Sequence, residues 1–364
     1  MSNLLLSGLL NGLLKGNRSS LARAITLIES SRSDHRKDAA KLLDSLLLER
    51  SKQQDKYINI NNSNNTSIRL PSFRIGIAGP PGAGKSSLIE TMGSHVLLEN
   101  KRLFESNTLQ IPTPRSRVAV VAVDPSSTRT GGSILGDKTR MDMLSKDPNA
   151  FVRASPTRGT LGGLAQHSND VILLCEGAGF CTVFVETVGL GQSEVAVDEC
   201  VDMLWLVVPP GGGDELQGVK KGIVELADMI IVNKADGDLL PSAKKAAAEY
   251  LRALQLVRPK HVGSSWRPPV QLCSAHTGVG VADVWKRALD FESELYMSLL
   301  NRRKKQASQW MWSGFESRLI ELARERRGLV GKTAIALEDS LARGLSSPRK
   351  GAEDLLAAFF KENS

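Results

Sequence analysis

The octapeptide Gly79-Pro80-Pro81-Gly82-Ala83-Gly84-Lys85-Ser86 carries residue types whose spacing suits phosphate chemistry. It satisfies G-x-x-x-x-G-K-[ST] at every defined position. An apolar run from Arg74 to Ala78 precedes it, and the helical stretch Ser87-Leu88-Ile89-Glu90-Thr91-Met92 follows. Strand, glycine loop and helix in that order build a cradle for phosphate. Glycines let the backbone curl with its N–H groups turned inward, and the helix start adds the partial positive charge of its N-terminus. Lys85 is then placed to reach the β- and γ-phosphates of a nucleotide, and the Ser86 hydroxyl to bind Mg2+. The phosphate-side binding set is Gly79, Pro80, Pro81, Gly82, Ala83, Gly84, Lys85, Ser86 and Ser87.

Three carboxylates are candidates to complete an oxygen ligand set for Mg2+ or its waters. Asp124 ends the apolar run 118–123, Asp137 lies in Thr130-Gly131-Gly132-Ser133-Ile134-Leu135-Gly136-Asp137, and Glu186 ends Thr182-Val183-Phe184-Val185. Acids also cap helices at such places; three of them around one phosphate loop favour the metal. The expected metal set is Ser86, Asp124, Asp137 and Glu186. Glu186-Thr187-Val188-Gly189 stands where a γ-phosphate sensor belongs, acting through the Gly189 backbone N–H. Leu190, not a glutamine, follows that glycine, so Gln192 is the remaining candidate to position an attacking water. Lys85, Glu186, Gly189 and Gln192 form the catalytic set. The hydroxyl- and glycine-rich stretches 124–132 and 209–218 are candidate switches beside the nucleotide.

The base is read further on. Asn233-Lys234-Ala235-Asp236 ends the apolar run 229–232. Asp236 can accept from both N1–H and the 2-amino group of guanine; adenine offers neither donor and would leave the charge unpaired. Asn233 would bond the base edge and brace the phosphate loop, while the Lys234 stem lies along the purine. Ser274-Ala275-His276, after the run 270–273, supplies a backbone N–H for the guanine oxygen. The expected ligands are GTP and GDP with Mg2+.

These residues need a rigid frame. Apolar runs at 74–78, 118–123, 151–154, 182–186, 203–208, 229–233 and 269–273 alternate with helical stretches at 86–99, 139–145, 162–174, 219–226 and 241–254. That pattern predicts an α/β fold, a P-loop NTPase with a mostly parallel sheet flanked by helices on both faces. Residues 1–50 read as three helices, with a leucine stripe through Leu4, Leu5, Leu9, Leu10, Leu13 and Leu14, and with a polar linker or surface loop over 51–67. The polar stretch 100–117 reads as a second surface loop. Beyond Gly280 the pattern is helical to the end. It includes an apolar set of Trp310, Trp312, Phe315, Leu319, Ile320 and Leu322, whose spacing suits packing and not a cofactor box. The expected division is an N-terminal helical region with linker, 1–67, a nucleotide domain, 68–290, and a C-terminal helical arm, 291–364, that packs on a second subunit.

The 364 residues carry a net charge of +8, and the basic clusters 302–305 and 324–327 read as solvated helix faces. No aromatic-rich single-strand or RNA module accompanies them, so no nucleic-acid partner is expected. The four cysteines form no C-x-x-C pair, which suits reduced thiols in an intracellular compartment. The five histidines make no zinc- or nickel-spaced cluster. No apolar run reaches the ~20 residues of a membrane span, so no membrane partner is expected. The apolar N-terminus lacks a basic region and a cleavage site, and is poor in arginine for a transit peptide.

Taken together, the motifs resemble the SIMIBI-class GTPases of the MeaB/ArgK type, the family of the methylmalonic aciduria type A protein. The matching words are GPPGAGKSS at 79–87, VDPSS at 123–127, TGGSILGDKTRM at 130–141, ETVGLGQSE at 186–194, GGDELQGVKKGI at 212–223 and NKAD at 233–236, with LARAITLIES at 21–30 and QWMW at 309–312. The asparagine-rich stretch at 61–65 and the loop near 100–115 depart from the family without touching a motif. The resemblance implies a homodimeric GTPase chaperone of adenosylcobalamin-dependent methylmalonyl-CoA mutase, or a related B12-dependent acyl-CoA mutase, that gates cofactor loading and reactivation. It places the Mg2+ and nucleotide roles on Ser86, Asp124, Asp137 and Glu186, and a mutase-responsive loop on 209–220. The inserts favour the mitochondrial matrix of a eukaryote over a bacterial cytoplasm. The rival readings are a metal-insertion GTPase and a kinase that passes phosphate to a small molecule or protein.

Overall fold

A strand buried on both faces must be apolar at nearly every position, and four of the runs above lie on such strands, with Arg74, Thr182, Glu186 and Thr187 as the buried polar exceptions. β1 (Phe73–Ala78), β4 (Thr182–Thr187), β5 (Met203–Val208) and β6 (Met229–Val232) are buried along their whole length. With β2 (Val118–Asp124), β3 (Ala150–Pro156) and β7 (Val270–Leu272) they form one seven-stranded sheet in the order β3-β2-β4-β1-β5-β6-β7, every pairing parallel. The computed structural model describes residues 3–30, 32–61, 70–105, 117–124, 141–156, 163–187, 193–211, 221–325 and 331–361.

The helices are α1 (Asn3–Leu14), α2 (Arg18–Ile28), α3 (Ser33–Asn61), α4 (Lys85–Glu105), α5 (Asp142–Lys146), α6 (Gly163–Gly177) and α7 (Ser193–Asp198) in the first half. α8 (Lys221–Leu226), α9 (Leu240–Gln255), α10 (Val281–Glu294), α11 (Tyr296–Glu325), α12 (Gly331–Ala342) and α13 (Pro348–Lys361) complete the chain. Side-chain alternation along the strands feeds two cores. Trp205 and Val207 join Ile75, Ile77, Phe184, Leu88, Met92, Trp285 and Phe291 on one face. Leu206, Val208, Ile230 and Val232 join Val224, Ala243, Ala246 and Tyr250 of α8 and α9 on the other.

Two expected ends move. α3 continues past Leu48 to Asn61, through eleven residues expected as linker, and α4 continues past 99 to Glu105. Residues 62–69 and 106–116 lie outside the described residues. The three N-terminal helices do not stand off the sheet as a loosely tied arm. α3 presses on α6, where a Cβ on Gly177 would stand 2.3 Å from Leu46 Cδ2. Arg50 Nε donates to Gly177 O at 2.6 Å, Arg18 donates to Ser145 O and Asp147 O at 2.8 Å each, and Arg153 pairs with Glu29 at 2.5 Å.

The chain divides into two compact units, Met1–Ala307 and Ser308–Ser364, and α11 contributes to both. Within the first unit, the amino edge of the sheet carries a buried ionic network. Arg74 of β1 pairs with Glu176 at 2.7 Å, and Arg303 of α11, expected with Arg302 on a solvated helix face, is instead largely buried and pairs with Asp202, the residue before β5, at 2.6 Å. Asp228, the residue before β6, accepts from Lys260 at 2.8 Å and Leu204 N at 2.8 Å, and Arg302 reaches Asp198 at 2.8 Å. Buried charge needs this pairing to be tolerated. Burial pushes the Glu176 carboxyl up, but Arg74 and Arg303 overcome it and hold it at about 2.

Candidate nucleotide site and family

Strand order reverses around β1: the chain runs outward to β2 and β3, returns to β4, then crosses to β5. In a doubly wound sheet, ligands bind at such a switch point, off the carboxyl ends of the strands. The phosphate loop leaves the carboxyl end of β1, Glu186 lies near that of β4, Asn233 follows β6, and Ser274 stands two residues beyond β7. Parallel topology thus gathers onto one edge residues that lie up to two hundred positions apart.

Glycine is required in the loop by geometry. A Cβ on Gly79 would stand 2.0 Å from Val207 O, and one on Gly84, whose φ is +85°, would stand 2.6 Å from Asn233 Nδ2. Lys85 opens α4 and is buried; its Nζ donates to Gly79 O at 2.9 Å and Pro80 O at 3.1 Å, across the mouth of the loop. Burial pulls its ammonium below the usual lysine range, while the carboxylates of Glu186 and Glu194 push it back up. The Ser86 hydroxyl donates to Glu186 Oε1 at 2.8 Å, and Glu186 is itself buried. A hydroxyl and a buried carboxylate in contact make a hard, oxygen-only donor pair, which fits Mg2+. Asp124 ends β2, one residue past the Val123–Thr187 pair of the β2–β4 ladder. Its side chain, and Asp137, Gly189 and Gln192, lie outside the described residues, as does most of both candidate switches.

On the base side, Asn233 links two loops. Its Nδ2 donates to Ala83 O at 2.9 Å and Gly84 O at 3.2 Å, and its Oδ1 accepts from Ala275 N at 3.0 Å. Ser274, fully buried, donates its hydroxyl to Asp236 Oδ2 and accepts from Thr277 N at 3.1 Å. Asp236 is therefore oriented by a neighbour, as a base-reading carboxylate must be. The Ala275 N–H, expected as a donor to the guanine oxygen, here donates to Asn233. Lys234 adopts φ +59° with its side chain exposed, and His276 is exposed at the same rim. The structure thus brings Lys85, Ser86 and Glu186 together, and separately Asn233, Asp236, Ser274 and Ala275, with Asn233 bridging the groups.

Two residues at the site escape sequence reasoning. Glu194, buried on the first turn of α7, adds a second carboxylate to the electrostatic surroundings of Lys85. Thr91 of α4 donates its hydroxyl to Ala275 O at 2.7 Å. Glu194 closes the matching word at 186–194 without a role assigned to it, and a threonine in a helix is commonplace.

The family described as Methylmalonyl Co-A mutase-associated GTPase MeaB matches residues 70–327, which takes in every site residue just described. The chain belongs to the MeaB family. It is 42% identical over 353 residues to the methylmalonic aciduria type A homolog, mitochondrial, of Mus musculus, covering 96% of this chain and 79% of that one. It is 42% identical to a putative GTPase of Caulobacter vibrioides, covering 95% of each, and 38% identical over 308 residues to GTPase ArgK of Escherichia coli, covering 84% of this chain and 82% of that one. Among solved structures, that of a LAO/AO transport system kinase superposes with a TM-score of 0.66 at 29% identity, covering 99% of both chains. This MeaB-family chain is a GTP hydrolase built on a P-loop fold. No helix among its described residues is long and apolar enough to cross a membrane.

Proposed function

We propose that this GTPase serves an adenosylcobalamin-dependent methylmalonyl-CoA mutase, or a related B12-dependent acyl-CoA mutase, by gating cofactor loading and reactivation. The match of residues 70–327 to a family described as mutase-associated is the observation that carries this reading. The names of the mouse relative and of a Caenorhabditis elegans relative, 38% identical, agree with it. In this reading GTP is timing chemistry, and the output is a change of shape passed to the partner.

The residues divide the work. Lys85 exchanges its bonds to Gly79 O and Pro80 O for the β- and γ-phosphate oxygens, so the buried ammonium keeps full hydrogen bonding while meeting opposite charge. Ser86 and Glu186, with Asp124 and Asp137, would hold Mg2+, which would supply positive charge at the phosphate oxygens. Gly189 is assigned the γ-phosphate through its N–H, and Gln192 is the candidate to position the attacking water. Asp236, Ser274 and Ala275 read guanine, with Lys234 over its face and His276 at the rim. Leu190 follows Gly189 directly, and no arginine finger is assigned. Slow intrinsic turnover is expected, accelerated by the partner.

GTP turnover with and without purified mutase, together with a pull-down in GTP, in GDP and without nucleotide, tests this. Turnover should rise at least about tenfold with mutase, capture should depend on the nucleotide, and Lys85→Ala should abolish both. Unchanged turnover and nucleotide-independent capture would overturn it. The name of the kinase structure favours one second reading, phosphate transfer to a small molecule or protein. Labelled GTP incubated with candidate acceptors decides it, since a hydrolase releases the label as inorganic phosphate. The mitochondrial matrix, or the cytoplasm in a bacterium, is the proposed compartment, and a homodimer the proposed assembly.

A further inference from the structure

The base-reading loop is gripped at one peptide from two directions. Ala275 N–H is held by Asn233 Oδ1 at 3.0 Å, from the end of β6, and Ala275 O is held by the Thr91 hydroxyl at 2.7 Å, from α4. Thr91 has one hydroxyl proton and two acceptors in reach. The second is Ser87 O at 3.1 Å, the backbone carbonyl one turn back to which a helical threonine ordinarily donates. The shorter contact goes to the loop. α4 is the helix that Lys85 and Ser86 open, and Thr91 stands six residues further on, about 9 Å along a rigid axis. Phosphate loop, α4, Thr91 and Ala275 therefore form a closed mechanical chain, and Asn233 closes it again from the other side through Ala83 O and Gly84 O.

A loop that reads a base with backbone groups depends on what fixes its peptides. Ser274 supplies part of this through Asp236 and Thr277 N, but those partners lie in or beside the same loop cluster. Thr91 ties the loop to the helix that carries the phosphate ligands. We propose that Thr91 is a positioning residue for guanine: its hydroxyl keeps the Ser274–Ala275 loop in register with the phosphate loop, and so sets how long a guanine nucleotide stays bound. The proposal rests on the assignment of that loop to the guanine edge.

Thr91→Val keeps the β-branched shape and removes the donor; Thr91→Ser keeps the donor. Release of fluorescently labelled GDP is measured for both, with equilibrium affinities for GDP, IDP and ADP. Losing one half-buried hydrogen bond predicts GDP release about three- to tenfold faster in Thr91→Val. Preference for GDP over ADP should narrow by the same factor, ADP affinity should stay unchanged, and Thr91→Ser should remain within about twofold of the parent. Wild-type release from Thr91→Val, or equal weakening of GDP and ADP, would overturn the proposal, because the hydroxyl would then be idle or would serve the phosphate loop generally. A parent chain that binds ADP as well as GDP would instead remove the guanine assignment, and the proposal with it.

Discussion

Asp170 of α6 sits largely buried without a hydrogen-bond or ion-pair partner among the described residues, and burial raises its pKa to about 6. The contrast with Glu176, one and a half turns along the same helix, shows what a partner does: two arginines hold that carboxyl near 2 in equal or deeper burial. A raised acid favours its protonated form in the fold. Between the ordinary aspartate value near 4 and about 6 the folded chain binds more protons than the unfolded one, so stability falls as pH rises through that window. Asp170→Asn should therefore stabilise the chain by about 1–3 kcal/mol at pH 7.5, and the gain should vanish near pH 4. Denaturant unfolding of both proteins at the two pH values checks it; an equal effect at both would show that ionisation of Asp170 costs the fold nothing. At this scale the sequence was informative where spacing itself is the chemistry. The phosphate loop and Asn233 to Asp236 are contiguous, so their residues could be assigned singly. Thr91, Glu194 and Asp170 act through neighbours distant in sequence, and no local pattern assigns them a role.

All seven strands fall where the apolar runs place them; burial marks β1, β4, β5 and β6 along their whole length, while the edge strand β7 is only half-buried. Helix ends were less legible. The apolar period marks where a helix touches the body, not where it stops. The run after Leu48 loses that period while keeping good helix formers such as Glu49, Arg50, Lys52 and Gln53, and α3 continues through it. α4 likewise continues past 99, with Arg102 reaching back to Glu99. Packing between elements is tighter than any pattern conveys. A Cβ on Gly76 of β1 would stand 2.7 Å from Val197 Cγ1 of α7 and 2.9 Å from Leu204 Cδ1 of β5. The short helix α7 therefore lies directly on the strand that leads into the glycine loop. Gly76→Ala should push α7 off β1 and cost about 1–3 kcal/mol. GTP affinity should fall with it, since Glu194 on α7 and Lys85 share that end of the site. Thermal unfolding and nucleotide titration measure the two effects, and an unchanged melting temperature would show that α7 yields without cost.

Across the whole chain, α11 changes character along its length. Arg302, Arg303 and Gln306 bind the first part of α11 into the body, through Asp198, Asp202 and Val201 O. Farther along the same helix the charged anchors give way to an apolar stripe. Met311, Trp312, Phe315, Leu319 and Ile320 are each 42–61% exposed, and Trp312 packs edge-on against Phe315 with ring centroids 5.9 Å apart. An isolated exposed apolar residue needs no explanation, but a row of them along one helix marks an interaction surface. The proposed homodimer gives this surface an occupant of identical chemistry, since an isologous interface places the same stripe on both sides. Aromatic anchors at the centre of such a contact carry most of its energy, and a charge buried there has no partner. Trp312→Glu should therefore raise the dimer dissociation constant at least about tenfold. The melting temperature of the body and its affinity for GTP should hold, because Trp312 lies outside the unit that contains the nucleotide site. Light scattering across a dilution series reads the result directly: a parent chain with the mass of a monomer, or a Trp312→Glu chain that stays dimeric at the parent's dilution limit, would exclude this stripe as the dimer contact.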